Sequence, residues 1–137
     1  MIQADTHIRV RYSETDKMGF VYYGHYPAYY EVGRTELMRS YGLTYKYLED
    51  NGIMMPVLSI NIRYKKPAYY DDLLTVRTLV KDMPTAKIRF IYEVYRESGE
   101  LINEGDTVLA FIRASDQRPT RPPHFFTERL KKLLDAS

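Results

Sequence analysis

Apolar and polar residues alternate near the start of the chain. Over residues 6–12, Ile8, Val10 and Tyr12 fall on one side and His7, Arg9 and Arg11 on the other, the period of a half-buried strand. The alternation stops at Ser13. Residues 13–24 carry polar side chains, two glycines and one short apolar patch, which is the pattern of a loop. After Pro27, a residue suited to a helix's first turn, Tyr26, Tyr29, Tyr30, Gly33, Leu37 and Tyr41 recur at helical spacing, with Glu31, Arg34, Glu36 and Arg39 interspersed. This predicts an amphipathic helix ending near Gly42. Gly33 inside its stripe costs about 1 kcal/mol of helix propensity, so a close approach of helix to sheet is expected there. A shorter helix capped by Thr44 follows and stops at Asn51-Gly52.

From Met55 the pattern turns to strands, expected at residues 56–64, 73–80, 87–96 and 101–113, all rich in β-branched and aromatic residues. Turn signals separate them: residues 65–72 with Pro67, residues 82–85 with Pro84, and Ser98-Gly99. These short connections predict an antiparallel meander. Pro119, Pro122 and Pro123 mark a coil, and residues 127–134 a short helix with Leu130, Leu133 and Leu134 on one side. The economical solution is an α+β fold in which a curved, antiparallel, five-stranded sheet wraps one long helix. No repeat or composition break divides the chain, so one domain over residues 1–137 is expected, with a C-terminal tail and helix from about 118 to 137. The length of the last strand suggests an edge that pairs with another subunit, and so a homo-oligomer.

Composition narrows the chemistry. The 137 residues contain no Cys, which excludes disulfides, thiolate nucleophiles and Cys-ligated metals. Lys plus Arg number 20 against 18 Asp plus Glu, and a net charge of +2 is too small for a dedicated nucleic-acid binder. No run reaches the length of a membrane span, and the charged, alternating start lacks a signal peptide's apolar stretch. The expected location is the cytoplasm, without integral membrane association. The three His residues are scattered, so no metal is expected, and neither a G-x-S-x-G elbow, nor a phosphate-binding loop, nor a dinucleotide fingerprint occurs.

The loop before the long helix carries the most chemistry. Gly19 and Gly24 allow the backbone to fold back so that the Asp16 carboxylate faces the helix N-terminus, where free N–H groups can stabilise an oxyanion. A carboxylate opposite an oxyanion site is a hydrolytic arrangement. The competing reading makes Asp16 a turn-fixing hydrogen bonder. His25 is either a general base or a solvated residue, and Glu31 and Glu36 read as surface or ion-paired groups. Arg63, Lys65, Lys66, Lys81, Lys87 and Arg113 form either a phosphate-binding patch or a solvated face. The tyrosine-rich strand around Phe90–Tyr95, flanked by Arg89 and Arg96, offers an alternative from another class, stacking of single-stranded RNA. Tyr22, Tyr23, Tyr26, Tyr29 and Tyr30 cluster at the helix start, whereas Tyr45, Tyr47, Tyr69 and Tyr70 have no assignment from sequence.

The run Tyr12-x-x-Thr15-Asp16-x-x-Gly19-x-Val21-Tyr22-x-x-x-Tyr26, continued by Tyr30-Glu31 and Arg34-Thr35-Glu36, resembles the signature of the hotdog-fold acyl-CoA thioesterases of the 4-hydroxybenzoyl-CoA thioesterase family, especially its YbgC-like branch. Tyr64-x-x-Pro67-Ala68-x-x-Asp71-Asp72-x-Leu74 extends the likeness, which fades beyond about Arg118. The resemblance implies a hotdog fold and hydrolysis of an acyl-CoA or acyl-carrier-protein thioester without a cofactor. It implies sheets joined edge to edge in dimers, tetramers built as dimers of dimers, and an active site at the dimer interface. Asp16 would be the catalytic carboxylate, as nucleophile or general base. The backbone N–H of Tyr23, with that of Gly24, would bind the thioester oxygen. Tyr22, His25 and Tyr26 would line the substrate site, and Lys65, Lys66 and Lys87 would contact CoA. The chain departs from the branch at Tyr23, commonly His, and at His25, commonly a small polar residue, so Tyr23 is expected to act through its backbone. A hotdog hydratase or dehydratase using His25 is the alternative within the same fold.

Overall fold

The computed structural model describes residues 1–136; Ser137, the last residue of the expected domain, lies outside the described residues. The first strand, β1 (Ile2–Arg9), leads through two 3₁₀ turns (Tyr12–Glu14 and Tyr23–His25) into α1 (Tyr26–Ser40). Then come α2 (Tyr45–Asp50), β2 (Ile53–Met54), β3 (Val57–Tyr64), β4 (Leu73–Val80), β5 (Lys87–Tyr95), β6 (Leu101–Ala110), β7 (Ile112–Arg113) and α3 (His124–Ala136). Five strands form one antiparallel sheet in the order β1-β4-β5-β6-β3, and β2 pairs with β7 in a separate ribbon. The long helix lies across β1, β4 and β5, which is the hotdog arrangement.

The apolar stripe of α1 is buried as its spacing predicts, through Tyr26, Tyr29, Tyr30, Gly33, Leu37 and Met38. Gly33 has the expected role. A Cβ there would stand 2.5 Å from Thr78 Oγ1 and 2.9 Å from Val76 Cγ1 on β4, so only a hydrogen lets helix and sheet come this close. Inward-facing Ile88, Phe90, Tyr92 and Val94 alternate along β5 with outward-facing neighbours. The Tyr30 ring stacks on Tyr92 with centroids 4.1 Å apart, the Tyr30 hydroxyl donates to Asn103 Oδ1, and the hydroxyls of Tyr92 and Thr107 bond at 2.6 Å. Thr44 caps α2 by accepting the Tyr47 N–H.

Four expectations are corrected. The first strand spans residues 2–9 instead of 6–12: β4 pairs with it from Ile2↔Val80 to Arg9↔Leu73, and beyond that Val10 exchanges backbone hydrogen bonds with Asp71 and Asp72 in the turn before β4. Val10 is buried as expected, but Tyr12 lies outside with 77% exposure. The meander holds only for β4, β5 and β6. Residues 65–72 do not close a hairpin, since β3 crosses to the far side of β6, where Ile102 O accepts the N–H groups of both Lys65 and Lys66. The expected strand over 101–113 is two strands in two sheets. β6 is internal, between β5 and β3, and β7 leaves to pair with β2, a strand too short to show a pattern in sequence. The free edges are therefore β1 and β3, and β3 exposes Val57, Leu58, Ile60 and Tyr64. The last helix begins at His124, immediately after Pro123, whose carbonyl accepts the Phe126 and Thr127 N–H groups, and it buries Phe126 and Leu130.

The unassigned tyrosines also find partners. Tyr45 accepts a hydrogen bond from buried Arg34 Nε (3.2 Å), Tyr47 packs on Phe125, Tyr69 lies under the Arg96 guanidinium, and Tyr70 meets Tyr12 edge to face. Among the described residues, no helix is long and apolar enough to cross a membrane.

Candidate active site

The segment before α1 is not irregular coil. It is a tight hairpin closed by a Tyr22 N–H bond to Glu14 O (2.9 Å) and a bridge between Thr15 and Val21. At its tip the Asp16 N–H donates to Phe20 O, and the Gly19 N–H donates to Asp16 O. Gly19 takes φ +83°, a value open to glycine and costly for other residues. Asp at the first and Gly at the fourth position of a four-residue turn is a legible signal for this geometry. The Asp16 carboxylate is half-buried and accepts the Met18 N–H through Oδ1 at 2.9 Å. The turn-fixing reading of Asp16 is thus realised, and one N–H occupies only part of a carboxylate's acceptor capacity.

The hairpin runs directly into the N-terminus of α1. The His25 N–H bonds to Tyr22 O in the 3₁₀ turn, while the N–H groups of Tyr23 and Gly24 stand at its start, where no intrahelical acceptor exists. The axis of the 15-residue helix α1 lies behind them, and its first turn holds no acidic residue. The Tyr22 phenol is pushed above its ordinary range by its hydrogen bond with Tyr23, by that neighbour's charge, by burial and by the Asp16 carboxylate. Beside the hairpin lies a cavity of about 340 Å³ lined by Phe20, Val21, Tyr23, Tyr26, Tyr64, Lys65, Lys66 and Pro67. Burial raises the Tyr26 phenol to about 12. The Tyr64 hydroxyl donates to Tyr23 O (3.0 Å), fastening β3 to the helix start.

Comparison with known proteins bears on the family. The thioesterase-like superfamily matches residues 10–130. The chain belongs to that superfamily. It is 44% identical over 94 residues to a putative acyl-CoA thioesterase, YneP, of Bacillus subtilis, covering 69% of this chain and 68% of that one. It is 26% identical over 125 residues to the acyl-CoA thioester hydrolase YbgC of Escherichia coli, covering 91% and 93%. Among solved structures, a DHNA-CoA thioesterase from Staphylococcus aureus superposes with a TM-score of 0.93 at 35% identity, covering 98% of this chain and 93% of that one.

In this thioesterase-like chain, Tyr23, Tyr26, Lys65 and Lys66 meet at the cavity as expected from sequence, and the Asp16 hairpin borders it through Phe20 and Val21. His25 and Tyr22 do not line it; their rings contact each other edge to face at 5.9 Å. Lys87 is not brought there either. It pairs with Ala110 at the opposite end of β5, roughly 25 Å from Tyr95 at the rise of an extended strand. The two cavity lysines are already partnered, Lys66 with Glu100 at 2.9 Å and Lys65 with Glu104 at 3.5 Å.

Sequence reading missed Arg96 and Glu14. Arg96 donates to Pro67 O at 2.6 Å and reaches Glu100 at 3.3 Å, bracing the cavity rim from the Ser98-Gly99 hairpin. Glu14 is 8% exposed and is joined to Tyr29 and Arg11. Burial works to raise its carboxyl pKa, but the Arg11 N–H, the Tyr29 hydroxyl and the Arg11 guanidinium together hold it below its ordinary value. Elsewhere, Arg63 and Arg89 flank a depression of about 660 Å³ on the outer sheet face, where they pair with Glu104 and Asp106. Phe90 and Tyr92 are fully buried and unavailable for stacking bases, which argues against the RNA-binding alternative, and of that run's aromatics Tyr95 alone is partly exposed. Among the described residues, no group of His, Cys, Asp or Glu is placed to hold a metal.

Proposed function

We propose that the protein hydrolyses an acyl-CoA thioester to a carboxylic acid and free CoA. The reading is supported by the Asp16 hairpin, which borders an aromatic cavity through Phe20 and Val21 and runs straight into the helix start, where the Tyr23 and Gly24 N–H groups have no backbone acceptor among the described residues. The names of the relatives support the substrate class. In the nucleophilic route an Asp16 oxygen attacks the thioester carbon and the negative charge moves to the carbonyl oxygen, where the two N–H groups stabilise it. The C–S bond then breaks, CoA leaves as thiolate and takes a proton, and water hydrolyses the mixed anhydride. In the general-base route Asp16 takes a proton from water as the hydroxyl adds, and that proton returns to the departing sulfur. No cofactor takes part in either route. Lys65, Lys66 and Arg96 border the cavity mouth as cations for CoA phosphates, a role in which phosphate competes with Glu100 and Glu104.

Thiol release across short, medium, long and aromatic acyl-CoAs tests the reading. At least one acyl class turns over, and Asp16→Asn lowers kcat by about 10²-fold or more while the fold is kept. Wild-type turnover by a folded Asp16→Asn enzyme removes Asp16 from the mechanism. Label in the Asp16 side chain after a single turnover in ¹⁸O-water establishes the nucleophilic route with water attacking the Asp16 carbonyl carbon; label in the product acid alone fits the general-base route or attack of water on the acyl carbon of the anhydride.

A further inference from the structure

Glu14 is a buried acid two residues before the proposed catalytic carboxylate, and neither route of hydrolysis uses it. Its surroundings are built around its two oxygens. Oε1 accepts the Arg11 N–H at 2.9 Å and the Tyr29 hydroxyl at 3.0 Å, and Oε2 meets Arg11 Nη2 at 3.3 Å. Tyr29 belongs to the first turns of α1, is 2% exposed, and packs edge to face at 5.5 Å on Tyr26, which lines the cavity. The Glu14 backbone carbonyl accepts the Tyr22 N–H at 2.9 Å and so closes the hairpin carrying Asp16. Residue 14 therefore holds α1 with its side chain and the hairpin's return strand with its backbone. Tyr23, whose N–H faces the reacting oxygen in the proposed mechanism, is the next residue along that strand.

We infer that Glu14 is a positioning residue that sets the Asp16 carboxylate and the Tyr23 N–H at their working separation by fastening the hairpin to α1. The inference rests on the hydrolytic reading of the site. The physical reason is stiffness. A hairpin joined to a helix only by covalent continuity samples a range of approaches, and an error of about 1 Å in a reacting group can cost about 100-fold in rate. Two donors from different elements converging on one buried oxygen remove that freedom. Exposed Arg11–Glu14 pairing alone could not, because surface ion pairs contribute little.

Three variants test this by kinetics and by amide hydrogen exchange. Glu14→Ala removes both oxygens, Tyr29→Phe removes one donor with no change of ring, and Glu14→Gln keeps an oxygen able to accept from both the Arg11 N–H and Tyr29. Glu14→Ala is expected to lose about 10- to 100-fold in kcat with KM within about twofold. Tyr29→Phe loses less in the same direction, and Glu14→Gln restores kcat to within a few-fold of wild type. Exchange over residues 15–23 quickens in Glu14→Ala and Tyr29→Phe while β4 and β5 stay protected. Unchanged exchange in that segment, unchanged kcat in either variant, or a Glu14→Gln enzyme as slow as Glu14→Ala overturns the inference. If Glu14→Ala fails to fold, Tyr29→Phe decides alone. Should the wild type release no thiol from any acyl-CoA, the hydrolytic reading fails, and the exchange experiment still reports whether Glu14 fastens the hairpin.

Discussion

Protonating Glu14 weakens an acceptor that Arg11 and Tyr29 share, and this fixes the sign of one pH dependence. Its folded-state pKa lies below the ordinary 4.5, so the stability it contributes is fully present above that value and is lost as pH falls through the lower, folded one. Melting curves between about pH 5 and about pH 3 should show Tm declining with acid, and declining less in Glu14→Gln. Equal slopes would mean that Glu14 titrates alike in folded and unfolded chains. The same residue shows where sequence reading stops. Asp16 is visible because a turn with Gly19 surrounds it locally, and Tyr23 through the resemblance of the motif that contains it. Glu14 sits in Arg-Tyr-Ser-Glu and looks solvated, since the hydroxyl that makes it a buried group comes from Tyr29, beyond the hairpin.

At the level of elements, the packing of α1 on β4 depends on one missing side chain. Gly33→Ala gains about 1 kcal/mol of helix propensity, yet its Cβ must displace Thr78 Oγ1 and Val76 Cγ1. Overpacking of this kind costs about 1–3 kcal/mol, so a net loss in denaturant unfolding is expected, and a stabilised variant would show that the helix can lift freely. Beneath it, Thr78 Oγ1 is buried with no hydrogen-bond partner among the described residues. Thr78→Val keeps the shape and removes that hydroxyl, which should raise stability by about 1 kcal/mol; a loss instead would reveal that the hydroxyl is satisfied in solution. Helix periodicity made α1, α2 and Gly33 legible from the chain alone. Strand order was not, because the alternation in residues 56–64 is the same whether the strand pairs with β4 or crosses to β6. What decides is the path of Lys65 and Lys66 onto the Ile102 carbonyl.

For the whole molecule, the free edges lie on β1 and β3 and not on the long strand that the sequence suggests, and β3 is the apolar one. The outer backbone groups of β3 face outward beside Val57, Leu58, Ile60 and Tyr64, all at least 40% exposed. An edge this apolar is an unsolved problem for a lone chain, so we propose that two copies pair β3 to β3 and that the dimers associate further into tetramers. Sedimentation equilibrium should give a multiple of 16.2 kDa, and a charge placed at Leu58 should shift the distribution toward smaller species. A monomer at all concentrations would rule the arrangement out.

The position of β3 has a consequence for synthesis. A ribosome delivers the chain from the N-terminus, and β3 emerges well before β6, its neighbour in the sheet. Everything between Tyr64 and Asn103 must be made before that pairing can close. The hairpin β4–β5 forms from adjacent segments meanwhile, and β1 already has β4 to dock on. The nascent chain therefore exposes an apolar, unpaired strand for the time taken to translate three others, and an arrest before Leu101 would leave it without any native partner.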